Sequence, residues 1–224
     1  MRRHLSSAAA VLLAILTAVP VAAGERLEEG VVAVVGDVPI LVSDLRLAEA
    51  VRLAPLDEDL DRWGEALLDA RIRLELEYQD LTAGGLARRH LDAGPALERL
   101  LVAGGGRDAV LARIAPYGLG LSDVEELALR VVAVEEAIHV RFEGSIHVSD
   151  EEIRSVYGSE IAPEIRRRGE TPPPLESVGH RIRRLVAERK LNDRLEAWLA
   201  EAQTRFPVVR YRPWRAEPGL AAAP

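Results

Sequence analysis

Residues 57–81 read DEDLDRWGEALLDARIRLELEYQDL, and the apolar side chains Leu60, Trp63, Leu67, Ala70, Leu74, Tyr78 and Leu81 recur at spacings of three and four. Side chains so spaced fall on one face of an α-helix. Leu68, Ile72 and Leu76 lie beside that stripe, so the buried face is broad, and Gly84-Gly85 ends the helix. The same period organises the rest of the chain. Ser43 is placed to cap a helix that runs to about Ala54, before Pro55. Two shorter helices, Ala96 to Val102 and Arg107 to Ala115, are split by Gly104-Gly105-Gly106. Ser122-Asp123-Val124-Glu125 forms a capping box for a long helix with the stripe Val124, Leu127, Val131, Val134, Ile138 and Phe142. Ser149-Asp150-Glu151-Glu152 is a second box, opening a short helix to about Tyr157. Arg166 to Pro174 is polar and proline-rich and reads as a loop. Leu175 to Thr204 is a last long helix with Val178, Ile182, Leu185, Leu195, Leu199 and Ala202 inward, and one of the long helices is expected to protrude as an arm.

Two segments break the helical period. Val31 to Val35 is rich in β-branched residues, Gly36-Asp37 is a two-residue turn, and Val38 to Val42 returns, the pattern of a β-hairpin. Pro39 cannot donate to a ladder, so the second strand belongs at an edge. Phe206 to Tyr211 reads as a closing strand. A lone hairpin is marginal in water, so Val208 to Tyr211 is predicted to add to it and bring the chain ends together. The fold class is therefore mainly α, with a small antiparallel sheet made by the N-terminal hairpin and the C-terminal strand. One domain is expected over residues 24–212, followed by a loose tail over 213–224.

Of the 224 residues, 48% are apolar and 29% charged, proportions of a folded chain and not of a disordered one. The absence of cysteine excludes disulfides, thiolate metal sites and a cysteine nucleophile. The formal net charge of −7 argues against a nucleic-acid partner, which would call for a basic stripe. Residues 1–23 read as a secretory signal peptide. Arg2, Arg3 and His4 make a positive start, an apolar run follows from Ala8 to Val19, and Val21-Ala22-Ala23 is a small-residue cleavage site, placing the cut between Ala23 and Gly24. The apolar run is short of the ~20 residues that span a bilayer. The alternative is an uncleaved N-terminal anchor. Export to a bacterial periplasm, without a transmembrane segment, is the expected destination.

The order of these elements has a counterpart. Val31 to Leu45, a valine-rich hairpin running into a Ser/Asp-started helix, resembles the opening of SurA-type periplasmic chaperones, of the trigger factor–SurA peptide-binding family. Arg141-Phe-Glu-Gly-Ser-Ile-His-Val-Ser-Asp-Glu-Glu-Ile-Arg154 is similar to that family's helix end and next helix start. Pro172-Pro-Pro-Leu-Glu-Ser-Val178, with the arginine-rich helix, Trp198-Leu199 and the final strand, is similar to its C-terminal segment. The resemblance implies a helical body with a cleft that holds unfolded outer-membrane proteins in transit, without ATP. It departs from the full-length family in one respect. Only about twenty residues separate Ile153 from Leu175, where a parvulin-type prolyl isomerase domain would need ~100. The expected activity is thus holding and not catalysis, with no catalytic residue, no metal and no cofactor.

Glu136-Ala-Ile-His139 has the spacing of a bundle metal site but no second such motif, and His90, His139, His147 and His180 share no ligand spacing. Ser43-Asp44 and Ser122-Asp123 are accounted for as helix caps. Gly104-Gly105-Gly106-Arg107 lacks the ending of a P-loop and reads as a flexible connector, the alternative being an anion cradle. Arg166, Arg167, Arg168, Arg181, Arg183 and Arg184 form basic clusters, either a solvated face or a contact with anionic lipid headgroups or acidic clients. Trp63, Tyr78 and Trp198 lie on or beside apolar stripes, where a core role competes with a ligand platform. Tyr117 and Tyr157 sit near helix ends. These five aromatics are the candidate peptide-binding residues, and the expected partner is an unfolded or extended polypeptide. Two alternatives stay open: an adaptor for one folded envelope protein, with the Leu60–Leu81 face serving a homodimer, and a non-catalytic partner of a separate prolyl isomerase.

Overall fold

The computed structural model describes residues 29–85, 91–211 and 213–221. The proposed signal segment with Ala23 and Gly24, and His90, lie outside them. The chain is mainly helical with one three-stranded antiparallel sheet. Strands β1 (Val31–Val35) and β2 (Val38–Leu41) form the hairpin, and β3 (Val208–Arg210) pairs with β1, giving the order β2-β1-β3. Gly36 at the turn has φ +58°, a conformation that favours glycine. Val34 lies opposite Val209, and the ladder is extended at both ends by Gly36 N–H to Pro207 O and Tyr211 N–H to Val32 O, each 2.9 Å. The two ends of the folded chain therefore meet in one sheet, as expected. That register aims the backbone groups of Val34 at β3, so Pro39, opposite Val34 on the other side, forfeits no ladder bond. Leu41 N–H, the next donor along this edge, is taken by Asp44 Oδ2 at 2.8 Å. The β2 edge is thus closed to strand addition.

Helix α1 (Val42–Ala50) departs from its predicted span at both ends. Its start is held by Asp44 reaching back to Leu41, not by Ser43, which is buried. It stops four residues before Ala54 because Arg52 adopts φ +53° and Arg52 N–H and Leu53 N–H bond back to Glu49 O and Ala48 O. That is a Schellman ending, with arginine where glycine is usual. Helix α2 (Leu60–Ala83) starts at Asp59, whose carboxylate accepts from the N–H groups of Asp61 and Arg62 at 3.1 and 3.2 Å. It is the central element. Trp63, Leu67, Leu68, Ile72 and Leu76 pack towards the sheet, and Leu74 and Leu81 join a second cluster with α1, α4 (Arg107–Ile114), α5 (Leu121–Arg141) and Trp198.

The triple glycine is not a flexible connector. Gly104, after α3 (Gly94–Ala103), is buried, and a Cβ there would collide with the Ala50 carbonyl and the Val110 side chain. Arg113 Nη1 donates to Gly104 O at 2.5 Å. The turn is the close crossing of α1 by the α3–α4 junction. At α5 the cap again differs from expectation: Ser122 is exposed, and Asp123 Oδ2 accepts from Gly120 N–H at 2.7 Å.

The box at α6 (Asp150–Val156) forms as expected, with Ser149 N–H to Glu152 Oε2 at 2.8 Å and Glu152 N–H to Ser149 Oγ at 3.2 Å. Helical structure then continues further than predicted, through a π turn at Tyr157–Ile161 into α7 (Ala162–Arg167), so only residues 168–174 form the loop. Helix α8 (Leu175–Arg205) is 31 residues, about 46 Å at 1.5 Å per residue. Its first half covers α6 and the π turn through Val178, Ile182 and Val186, with Ile153 opposite, a cluster separate from the body. Val186 takes the inward place expected of Leu185. Its second half enters the body through Leu195, Trp198 and Leu199.

The tail is the largest correction. Residues 213–221 are packed on the body and end in the short helix α9 (Pro218–Ala221), with Trp214, Ala216 and Leu220 all buried in the cluster of the sheet and α2. The backbone of Trp214 crosses α2 at Gly64 so closely that a Cβ at Gly64 would strike the Trp214 carbonyl. One indole and a glycine beneath it fasten a segment whose composition reads as loose.

Candidate functional site

The five candidate aromatics do not converge. Trp63 is fully buried and Trp198 is 3% exposed, so neither offers surface to a client, and both are core residues. Trp198 Nε1 donates to Asp80 Oδ2 at 2.7 Å, and its ring lies 5.4 Å from that of Phe142. Tyr157 is half-buried in the arm, its hydroxyl donating to Pro173 O at 2.7 Å and tying the loop to the π turn. Tyr78 and Tyr117 each line an open cleft, and the two clefts are distinct.

The Tyr78 cleft, about 500 Å³, lies where α2 passes the hairpin turn and the end of α8. Val38, Tyr78, Ala83 and Phe206 give it apolar walls, and Asp37, Glu75, Gln79, Thr82 and Arg130 supply polar groups. Those on α2 share one face because residues 75, 78, 79 and 82 are three or four apart. Glu75, Gln79 and Arg130 are fixed before any ligand arrives. Gln79 Nε2 donates to Val35 O at 2.9 Å and to Glu75 Oε1 at 3.0 Å. The buried Glu75 carboxylate is also paired with Arg71 Nη1 at 3.0 Å and with Arg130. Burial pushes the Glu75 carboxyl up, but the Gln79 hydrogen bond and the Arg130 and Arg71 charges outweigh it and hold it below the usual carboxylate range. Arg130 in turn binds Glu126 at 2.8 Å and lies over the Tyr78 ring at 5.1 Å from its centroid. The tyrosine ring is thereby held in place by a cation that is itself anchored. An apolar floor beside anchored polar groups can bind an extended chain by area while its rim meets backbone or side-chain polar groups.

The Tyr117 cleft, about 410 Å³, opens beside the tail. Arg46 is its centre, with its guanidinium 4.4 Å from the Trp214 ring centroid and 5.5 Å from that of Tyr117. It pairs with Glu49 and Glu217, each at 2.8 Å. Tyr117 donates its hydroxyl to Glu217 Oε1 at 3.1 Å, and Glu217 N–H donates to Glu49. Burial raises the Glu49 carboxyl above its usual range despite those donors, and burial likewise raises the Tyr117 hydroxyl.

The remaining candidates are placed as follows. Glu136 and His139 are exposed on α5, and among the described residues no group of three or more histidine, aspartate or glutamate side chains is placed to hold a metal ion. Of the arginine clusters, Arg167 and Arg168 pair with Glu164, and Arg183 pairs with Asp150 at 2.6 Å, while Arg166, Arg181 and Arg184 are exposed. No helix among the described residues is long and apolar enough to cross a membrane. Sequence reasoning missed Arg71, Glu75, Gln79 and Arg130. A signal for the first two was present: charged residues four apart inside a broad apolar face mark a pair that must bury together.

No protein-family model, no curated protein and no solved structure matches the chain.

Proposed function

We propose that this chain is an ATP-independent holding chaperone, exported to a bacterial periplasm through residues 1–23, that keeps unfolded envelope proteins soluble without catalysing their folding. The observation that carries this reading is the Tyr78 cleft. It is open, partly apolar and bounded by polar groups whose partners are already fixed, so a client gains apolar burial without the cleft having to reorganise. A site that works mainly by area tolerates many sequences, which suits a client pool. The SurA-like order of hairpin, helices and terminal strand supports the same reading.

The test is an aggregation assay. Urea-unfolded outer-membrane β-barrel protein is diluted into buffer with residues 24–224, and light scattering is followed against an inert protein of similar size. Suppression near equimolar ratio, without nucleotide, is expected, and Tyr78→Ala with Phe206→Ala should weaken it. No suppression by a folded, monodisperse chain would overturn the reading for general clients.

A further inference from the structure

The tail does not close over the body as an ordinary core element does. Over residues 213–216 it makes no backbone hydrogen bond to the body among the described residues, and it is held by the buried side chains of Trp214, Ala216 and Leu220, by the exposed Arg215–Asp61 ion pair at 2.8 Å, and by the Glu217 carboxylate and N–H. The fit is incomplete. The Tyr117 cleft of about 410 Å³ remains open alongside it. The buried N–H groups of Trp63 Nε1, Trp214 Nε1 and Arg46 Nε have no acceptor, and a buried donor left unmade costs of the order of a hydrogen bond. What is built here is the body's side of the contact. Gly64 admits a backbone against α2. Arg46 presents a flat cation to an aromatic and a charge to an acid. The Tyr117 hydroxyl adds a donor for the same acid.

From this we propose that the groove over Gly64 and Arg46 is a second polypeptide-binding site, that residues 213–221 are its exchangeable internal occupant, and that it takes in trans a segment of the form aromatic–x–small–acidic–x–x–aliphatic that ends, like the tail, in a helical turn. That is the spacing of Trp214, Ala216, Glu217 and Leu220. The aromatic stacks on Arg46, the small residue passes α2, the acid pairs with Arg46 and Tyr117, and the aliphatic side chain fills the place of Leu220. Because the resident segment is tethered, it competes at an effective concentration of the order of millimolar, and a free segment binds with an affinity reduced by the fraction of open grooves. The groove is separate from the Tyr78 cleft, and its occupancy is independent of whether that cleft holds clients.

The test uses the full chain and a fluorescein-labelled peptide spanning residues 211–221, read by fluorescence anisotropy. In the chain carrying Trp214→Ala and Leu220→Ala the tail is loosened, and the peptide should bind about tenfold or more tighter than to the unsubstituted chain. Adding Gly64→Val should abolish that binding, as should Trp214→Ala in the peptide, while Tyr78→Ala in the loosened chain should leave it unchanged. Equal binding by the loosened and unsubstituted chains, with helical circular dichroism intact, would overturn the proposal. Loss of the helical signal on loosening would also overturn it, since the tail would then be core. So would elution of the unsubstituted chain as a dimer that the peptide converts to monomer, because the occupant would then be the tail of a second copy.

Discussion

Gly64 and Glu77, both on α2, carry opposite lessons about single residues. Gly64 is a helix-interior glycine, a choice that costs stability relative to alanine in isolation, and it is there because the Trp214 carbonyl occupies the space of a Cβ. Gly64→Ala should therefore destabilise the chain by about 1–3 kcal/mol, the range for an overpacked site, against the gain that helix propensity alone would give. Urea unfolding with tryptophan fluorescence checks the sign. Glu77 is buried, and burial raises its carboxyl above the usual range despite the hydrogen bond and charge of Arg73, with Glu196 raising it further. A carboxyl raised by folding subtracts stability at pH values above its range, and the penalty vanishes as falling pH protonates it. Glu77→Gln is expected to raise the melting temperature at pH 7, with the gain closing towards pH 4. A constant gain across that range would place the effect elsewhere. Residues of this kind are the least legible in a sequence. Asp44 and Asp123 cap helices by reaching back from the third position, and serines one residue before each draw the eye instead. Arg52 ends α1 in a conformation that its side chain gives no reason to expect.

At the scale of elements, the apolar stripes of α2, α5 and α8 were readable because helical period reports burial directly, and the hairpin was readable from its β-branched runs and two-residue turn. The π turn and α7 were not, because Arg166, Arg167 and Arg168 are charged and α7 buries little beyond Ala162. The arm offers two checks on its independence from the body. Ser149→Ala should cost about 1 kcal/mol, the usual loss of an N-cap, and the lost amide protection should be confined to residues 150–156 in hydrogen exchange. The second check is acid. The Lys190 hydrogen bond, with those of Ser149, lowers the Glu152 carboxyl to about 2. A lowered carboxyl contributes stability that is present above its ordinary value of 4.5 and is lost as pH falls through about 2. Protection at the start of α6 should thus persist at pH 4 and disappear towards pH 2. Collapse of the arm already at pH 4 would contradict the cap as its anchor.

For the whole molecule, the closing of the chain ends into one sheet follows from the marginal stability of a lone hairpin, and the third strand arrives where that need places it. The tail is where whole-molecule inference from sequence stops. Its attachment depends on a glycine 150 residues earlier in the chain, a pairing that no local pattern announces. The candidate site divides in the same way. Tyr78 and Tyr117 mark the two clefts, while Trp63 and Trp198, on the same kinds of stripe, are core, since periodicity finds the buried face and does not say where that face is left open. The claim that the Tyr78 cleft holds unfolded polypeptide is tested most directly by site-specific photo-crosslinking. A crosslinking residue is placed at Thr82, exposed on the rim of the cleft, and in a parallel chain at Val102, 70% exposed on α3 and outside its lining. Urea-unfolded β-barrel protein should crosslink at position 82 and not at 102, and Tyr78→Ala should reduce the yield. Equal yields at the two positions, or none at 82 from a folded chain, would contradict the assignment.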